Sequence, residues 1–243
     1  MSDAPLVTDT AMVMAAGLGK RMLPLTADRP KPLIEVSGRK LIDYMIDHLV
    51  DAGIARAVVN VHYHPDQIEA YLAVRDHPTI TISDERAELL ETGGGMVKAW
   101  QQGLLPDPYF CLNSDNIWID GSRNTLLDLS DAWDPVRMDA LLLVVPRDRA
   151  FEHRGRGDFH LEPDGRLRRR APDEESAPYI YIGAQIVAHR LLRDAPQGSF
   201  STMVLWERAI AEGRLFGVIH AGEWFDLGTP EAIPPAEARL ARG

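Results

Sequence analysis

The 243-residue chain is expected to be an α/β protein, with a Rossmann-like mixed, mostly parallel sheet flanked by helices. Three observations carry that expectation. Short apolar runs alternate with segments of helical periodicity through the first 145 residues. The first apolar run ends in a glycine-rich turn, Ala15-Ala16-Gly17-Leu18-Gly19, at the kind of strand end where an open α/β sheet takes its ligand. Leu141–Val145 is apolar throughout, as befits a strand covered on both faces.

The elements follow in order. Ala11–Ala16 is the first strand, and Gly17, Gly19 and Pro24 turn the chain out of it into a long loop. Leu41, Ile42, Met45, Ile46 and Leu49 recur at helical spacing, and Gly53 closes that helix. Arg56–Val61 reads as a strand. Pro65 opens a helix that turns Ile68 and Leu72 inward. Thr79–Ser83 alternates β-branched residues, a strand pattern. Gly94–Gly103 reads as helix and Tyr109–Asn113 as strand. Beyond Pro146 the pattern changes. Phe159–Arg170 forms a hairpin about Pro163-Asp164-Gly165, and Tyr179–Val187 is a strand. Met203–Ala211 is then a helix, Leu215–His220 a strand and Pro230–Leu240 a terminal helix. No linker, repeat or low-complexity segment intervenes, so residues 1–243 are expected to form one domain, in halves of about 10–145 and 146–235.

Charge narrows the function classes. Asp and Glu number 36 against 26 Lys and Arg, a net charge of −10, which argues against a nucleic-acid or anionic-membrane partner. A small anionic ligand in a locally basic pocket remains compatible. No apolar run reaches the roughly 18 residues of a membrane span. The first ten residues lack the basic start and apolar stretch of a secretion signal, and a cytoplasmic protein is expected. The single cysteine, Cys111, excludes an intramolecular disulfide and sits where a small buried hydrophobe is expected. Residues 1–9 are expected to be loosely packed.

The chemistry-bearing residues fall into a few strings. In Ala15-Ala16-Gly17-Leu18-Gly19-Lys20-Arg21, the glycines free the backbone to approach a ligand, and successive amides form a concavity for anions. Arg21 offers a bidentate fork to phosphate. Lys31 adds a compact charge between Pro30 and Pro32. Position 22 is Met22, so the third glycine of a dinucleotide fingerprint is missing, and no P-loop sequence occurs. Asp115, in Cys111-Leu112-Asn113-Ser114-Asp115, follows an apolar strand, and Asp226 lies in Trp224-Phe225-Asp226-Leu227-Gly228-Thr229. Taken singly, Asp115 is better explained as a helix or turn cap and Asp226 as a turn residue before glycine; as a pair from two strand ends they can share Mg²⁺. Glu91-Thr92-Gly93-Gly94-Gly95 opens a helix with glycines that suit a flat ring lying on the backbone, a helix start that comes close to a ligand, or simply a glycine-rich N-terminus. His153-Arg154-Gly155-Arg156-Gly157-Asp158 fits either a sugar-phosphate clamp or a solvated loop. Trp224 fits either a sugar-stacking face or the core.

The order A-A-G-x-G-x-R, P-K-P, Asp115 and W-x-D-x-G-T resembles the signature of the sugar-1-phosphate nucleotidyltransferases (nucleoside diphosphate sugar pyrophosphorylases), over about residues 10–235. The resemblance implies the nucleotide-diphospho-sugar transferase fold, with nucleotide in the first half and sugar in the second. It implies transfer of a nucleoside monophosphate from a nucleoside triphosphate to a sugar 1-phosphate, with Mg²⁺ on Asp115 and Asp226. Arg21, Lys31 and Asp115 would be catalytic. Ala15 to Arg21, Lys31, Glu85, Thr92, Gly93, Asn113 and Asp115 would meet the nucleotide. Gly94, Arg154, Arg156, Gly157, Asp158, Gly183 and Asp226 would meet the sugar phosphate. The chain departs from the family in Ser114, where glycine is usual, and in lacking an E-K-P motif, its equivalent region reading Arg170-Ala171-Pro172-Asp173-Glu174-Glu175. E-T-G-G-G and R-G-R-G-D-F together resemble the short branch acting on N-acetylmuramic acid 1-phosphate, which implies UTP. A mannose-1-phosphate guanylyltransferase is the competing branch. A non-catalytic nucleotide-sugar sensor on the same fold, and a transferase with a non-sugar phosphate acceptor, are the rivals. A monomer or homodimer is expected.

Overall fold

The computed structural model describes residues 6–151 and 153–242. In chain order, β1 (Thr10–Met14) runs into the glycine loop, and a small hairpin of β2 (Glu35–Val36) and β3 (Arg39–Lys40) leads into α1 (Leu41–Asp51). Then come β4 (Arg56–Val61), α2 (Pro65–Leu72), β5 (Thr79–Asp84), α3 (Glu91–Gln101), β6 (Tyr109–Asn113), β7 (Ile117–Ile119) and α4 (Thr125–Ala132). The second half holds β8 (Ala140–Pro146), β9 (Ala150–Phe151), β10 (Phe159–Leu161), β11 (Leu167–Arg169), β12 (Tyr179–Val187) and α5 (His189–Leu192). It closes with α6 (Met203–Ala211), β13 (Leu215–Ile219), β14 (Glu223–Phe225) and α7 (Ile233–Leu240).

The central sheet runs β11-β10-β12-β6-β1-β4-β5, with β8 on β12 and β13 on β8. The β6-β1-β4-β5 half is parallel, whereas β12 pairs antiparallel with both β6 and β8. Alternation along the strands explains the layers. Ala11, Val13, Phe110 and Leu112 face the core shared with Ile42, Met45 and Ile46 of α1 and Leu126 of α4. Met12, Tyr109 and Cys111 face the opposite core, with Met96 of α3 and Leu205 and Trp206 of α6. Leu141, Leu143 and Val145 of β8 point to the first core and Ala140, Leu142 and Val144 to the second, so this strand is covered on both faces as expected.

The register sets the site. Met14 pairs with both Asn60 and Asn113, so β1, β4 and β6 end in one row, the carboxyl edge of the parallel sheet. A second sheet, β7-β14-β9, stands beyond it, pairing Phe225 with Ile117 and with Phe151. Two- and three-residue strands have no readable periodicity, and sequence reasoning passed over this sheet and over α4. The helix expected over Gly94–Gly103 starts earlier, at Glu91, so all three glycines lie inside its first turns. Of the first nine residues, Met1–Pro5 lie outside the described residues. Leu6 and Val7 pack against the core, and the Val7 amide donates to Ser130 Oγ at 2.9 Å, so they are anchored rather than loose.

Candidate active site

A cavity of about 570 Å³ opens at the carboxyl edge of the sheet. Ala15, Ala16, Gly17, Leu18, Gly19, Lys20, Arg21, Lys31, Thr92, Asn113 and Asp115 all line it. The structure thus gathers most of the predicted nucleotide residues around one space, from four separate stretches of chain.

The glycines of the loop differ in role. Gly17 has nothing within 4 Å of where a Cβ would stand, so its bare backbone faces open space. Gly19 is the one in the left-handed region, φ 62°, and a Cβ there would meet Thr26 Cγ2 at 2.8 Å. Thr26 Oγ1 in turn donates to the Gly19 carbonyl at 2.9 Å, which fixes the turn. Lys31 is buried, and its Nζ donates to Asp115 Oδ2 at 2.8 Å, joining the P-K-P loop to the end of β6. Ser114, the departure from the family pattern, donates its hydroxyl to the Met14 carbonyl at 2.6 Å and so ties the Asp115 turn to β1.

Glu85 does not meet a base. It is fully buried, and Asn60 Nδ2 donates to its Oε1 at 2.8 Å, while Asn60 Oδ1 accepts from the Ala15 amide at 2.7 Å. Burial pushes the Glu85 carboxyl above the usual glutamate range, a shift that the Asn60 hydrogen bond opposes. Glu85 therefore props the glycine loop from behind, and Asn60, which sequence reasoning missed, is the residue at the cavity wall. Nothing in the sequence distinguishes a carboxylate immediately after β5 that points inward from one that points outward.

The glycine triplet also differs from expectation. A Cβ on Gly93 would lie 2.4 Å from the Phe200 ring, one on Gly94 2.3 Å from the Gly198 carbonyl, and one on Gly95 2.7 Å from Glu85 Oε1. Protein fills those spaces, not a ligand ring. The amides of Gly93 and Gly94 donate to the Phe200 carbonyl, at 2.8 and 3.2 Å, so the triplet seats α3 on the 198–202 segment. Gly183 and Gly157 are likewise packing glycines. Both have positive φ, and their Cβ positions would meet Asn116 Nδ2 and the Ala177 carbonyl, each at 2.0 Å.

Asp226 arrives by way of the small sheet. It follows Phe225, which pairs with Ile117, so continuing that register one step sets it opposite Asn116, the neighbour of Asp115. Its Oδ2 shares a hydrogen bond with His153 Nδ1 at 2.8 Å. That bond, helped by the charges of Arg21 and Lys31, holds the Asp226 carboxyl below the usual carboxylate range. A Cβ on Gly228 would lie 3.1 Å from Arg21 Nη1, which places the Arg21 fork beside the Asp226 turn. His153 is a second residue that sequence reasoning quoted without a role. Trp224 is buried, the core alternative.

The Arg154 and Arg156 side chains are exposed, with no side-chain hydrogen bond or ion pair among the described residues, as either a clamp or a solvated loop requires, while the Arg156 carbonyl accepts from the Ala177 amide at 2.8 Å. Asp158 Oδ2 accepts from the Tyr181 amide at 3.0 Å, a structural task. Among the described residues no group of three or more His, Cys, Asp and Glu side chains forms a metal cage. Asp115 and Asp226 do fit a hard divalent cation: each is an oxygen donor, each has one oxygen in a hydrogen bond to its cationic or imidazole neighbour, and each has a second oxygen left over. None of the helices among the described residues is long and apolar enough to cross a membrane.

The nucleotidyl transferase family model matches residues 10–151. The chain is 46% identical to the N-acetylmuramate alpha-1-phosphate uridylyltransferase of Caulobacter vibrioides over 99% of both chains. It is 30% identical to the protein of the same name from Neisseria meningitidis, over 94% of this chain and 96% of that one. Among solved structures, UDP-glucose pyrophosphorylase complexed with UDP-glucose superposes with a TM-score of 0.79 at 13% identity, over 97% of this chain and 99% of that one, a likeness of fold.

Proposed function

The chain belongs to the nucleotidyl transferase family, and we propose on that premise that it transfers UMP from UTP to N-acetylmuramic acid 1-phosphate, giving the UDP-sugar and pyrophosphate. The observation that carries this is the cavity itself: glycine-loop amides, Arg21, Lys31 and Asp115 on one wall, with the Asp226 turn beside it. The full-length likeness to two uridylyltransferases supports the base and the sugar.

The sugar phosphate oxygen attacks the α-phosphorus in line. A new P–O bond forms, the bond to the β-phosphate oxygen breaks, and pyrophosphate takes the electron pair. The nucleophile is already ionised, so no general base is needed, and catalysis consists of positioning and charge compensation. The amides of residues 17–21 and the Arg21 fork hold the departing pyrophosphate portion. Lys31, stiffened by its flanking prolines and oriented by Asp115, meets the charge that builds at the α-phosphate. Asp115 and Asp226 would hold Mg²⁺, which supplies charge neutralisation between two phosphates. Arg154 and Arg156, exposed and unpaired among the described residues, meet the incoming sugar phosphate. The protein is expected to be cytoplasmic and to work as a monomer or homodimer.

The test is pyrophosphate release with Mg²⁺, with UTP, GTP, CTP and dTTP set against the 1-phosphates of N-acetylmuramic acid, mannose, glucose and N-acetylglucosamine. Turnover highest with UTP and the muramic acid phosphate is expected. Turnover highest with GTP and mannose 1-phosphate would overturn the substrate assignment. Silence across the grid from protein that binds nucleotide would favour a sensor.

A further inference from the structure

Glu91 occupies a singular position. It lines the nucleotide cavity and opens α3 with φ 56°, the left-handed region that side-chain-bearing residues adopt at a cost. The other non-glycine residues with positive φ among those described, Ser37, His64 and Asp194, lie outside the cavity. The conformation is held from both sides. The Phe200 amide donates to the Leu90 carbonyl at 3.2 Å, the Gly93 amide to the Phe200 carbonyl at 2.8 Å, and the Thr202 amide to Thr92 Oγ1 at 2.9 Å. The Thr92 hydroxyl is thereby engaged as an acceptor. The Glu91 side chain is exposed, with no hydrogen bond or ion pair among the described residues. A glycine would take this backbone without strain, so the side chain is what the strain retains.

A free carboxylate in this cavity repels phosphate, so the phosphates belong at the end with Arg21 and Lys31. What meets Glu91 must be neutral and rich in donors. Uracil offers one N–H between two carbonyls that repel a carboxylate. A ribose offers two adjacent hydroxyls, and carboxylates bind such hydroxyls in other nucleotide sites. Resting on the uridylyltransferase reading, we propose that the Glu91 carboxylate accepts hydrogen bonds from the ribose hydroxyls of the bound nucleoside triphosphate, and that the staple to residues 200–202 holds α3 to aim it.

The test is calorimetric binding of UTP, 2′-deoxy-UTP and 3′-deoxy-UTP to the wild-type protein, E91N and E91G. Asparagine tolerates the left-handed backbone and removes the carboxylate, which separates side chain from strain. Wild type is expected to prefer UTP by about tenfold or more over at least one deoxy analogue, the scale of a charge-assisted hydrogen bond. Both variants are expected to lose that preference, and E91G to melt about 2 °C higher as strain is relieved. An unchanged preference in E91N overturns the proposal. Failure of wild type to bind UTP at all would instead refute the functional reading on which the proposal rests.

Discussion

Replacing Lys31 by Ala separates the chemistry from the fold. Lys31 is 8% exposed, and its Nζ sits 2.8 Å from Asp115 Oδ2. The pair is not deeply buried, because the Asp115 side chain is 34% exposed. Solvent therefore screens the carboxylate that the substitution orphans, and the stability cost should be only about 1 kcal/mol. In a domain of this size that is a fall of roughly 2–4 °C in Tm. The kinetic cost is larger. Losing one preorganised charge aimed at the reacting phosphoryl group typically costs about 10²–10³ in kcat. Steady-state pyrophosphate release and a thermal melt on the same preparation measure both quantities. A K31A protein whose kcat stays within about threefold of wild type would remove Lys31 from the mechanism, whatever its melting point.

The two kinds of glycine should separate in the same pair of assays. G17A, with nothing within 4 Å of the new Cβ, should melt like wild type and lose nucleotide affinity, whereas G94A, whose Cβ would stand 2.3 Å from the Gly198 carbonyl, should lose about 1–3 kcal/mol of stability. Equal melting points for the two would contradict the packing assignment. R154A and R156A should raise KM for the sugar phosphate and leave Tm unchanged, since both side chains are exposed and unpaired among the described residues; an unchanged KM would return them to solvent. Burial raises the Glu85 carboxyl above the usual glutamate value of 4.5. A raised folded-state pKa contributes stability that is full below 4.5 and is lost as pH rises through the folded value, so Tm should fall across that window in wild type and less in E85Q. Parallel curves would show that Glu85 does not titrate there. EDTA should abolish turnover and excess Mg²⁺ restore it; activity that survives chelation would free Asp115 and Asp226 of the metal role.

Much of the fold was legible because its signals are local. β1, β4, β6 and β8 are apolar runs bounded by glycine, proline or polar residues, and α1 and α2 carry their apolar stripes at helical spacing. What went unread is held by partners distant in sequence. Ile117–Ile119 has three residues, and it is a strand because Glu223–Phe225 lies beside it, about 105 residues later. α4 did have a local signal, an Asn124 side chain capping the Leu126 amide, but its stripe of Leu126 and Leu129 is too short to stand out.

The candidate site divides along the same line. The A-A-G-x-G-x-R string and Lys31 were readable because a cluster of glycines and cations at a strand end has few other uses. The roles of individual glycines were not readable, since a glycine in a sequence records only that a side chain is missing. Gly17 is empty toward the cavity; Gly93, Gly94 and Gly183 are empty toward Phe200, Gly198 and Asn116. The same holds for acidic residues. Asp115, Asp226 and Glu85 all follow strand ends, yet Glu85 is sealed behind the loop by Asn60 while the side chains of the other two are partly exposed. The difference rests on which neighbour arrives from elsewhere. Asn60 reaches Glu85 because β4 and β5 pair in register, and His153 reaches Asp226 because β9 ends beside β14. Both neighbours hold one of the predicted residues in place, so replacing His153 should disturb the site through geometry alone, whereas replacing Asn60, which also lines the cavity, should add the loss of a wall contact.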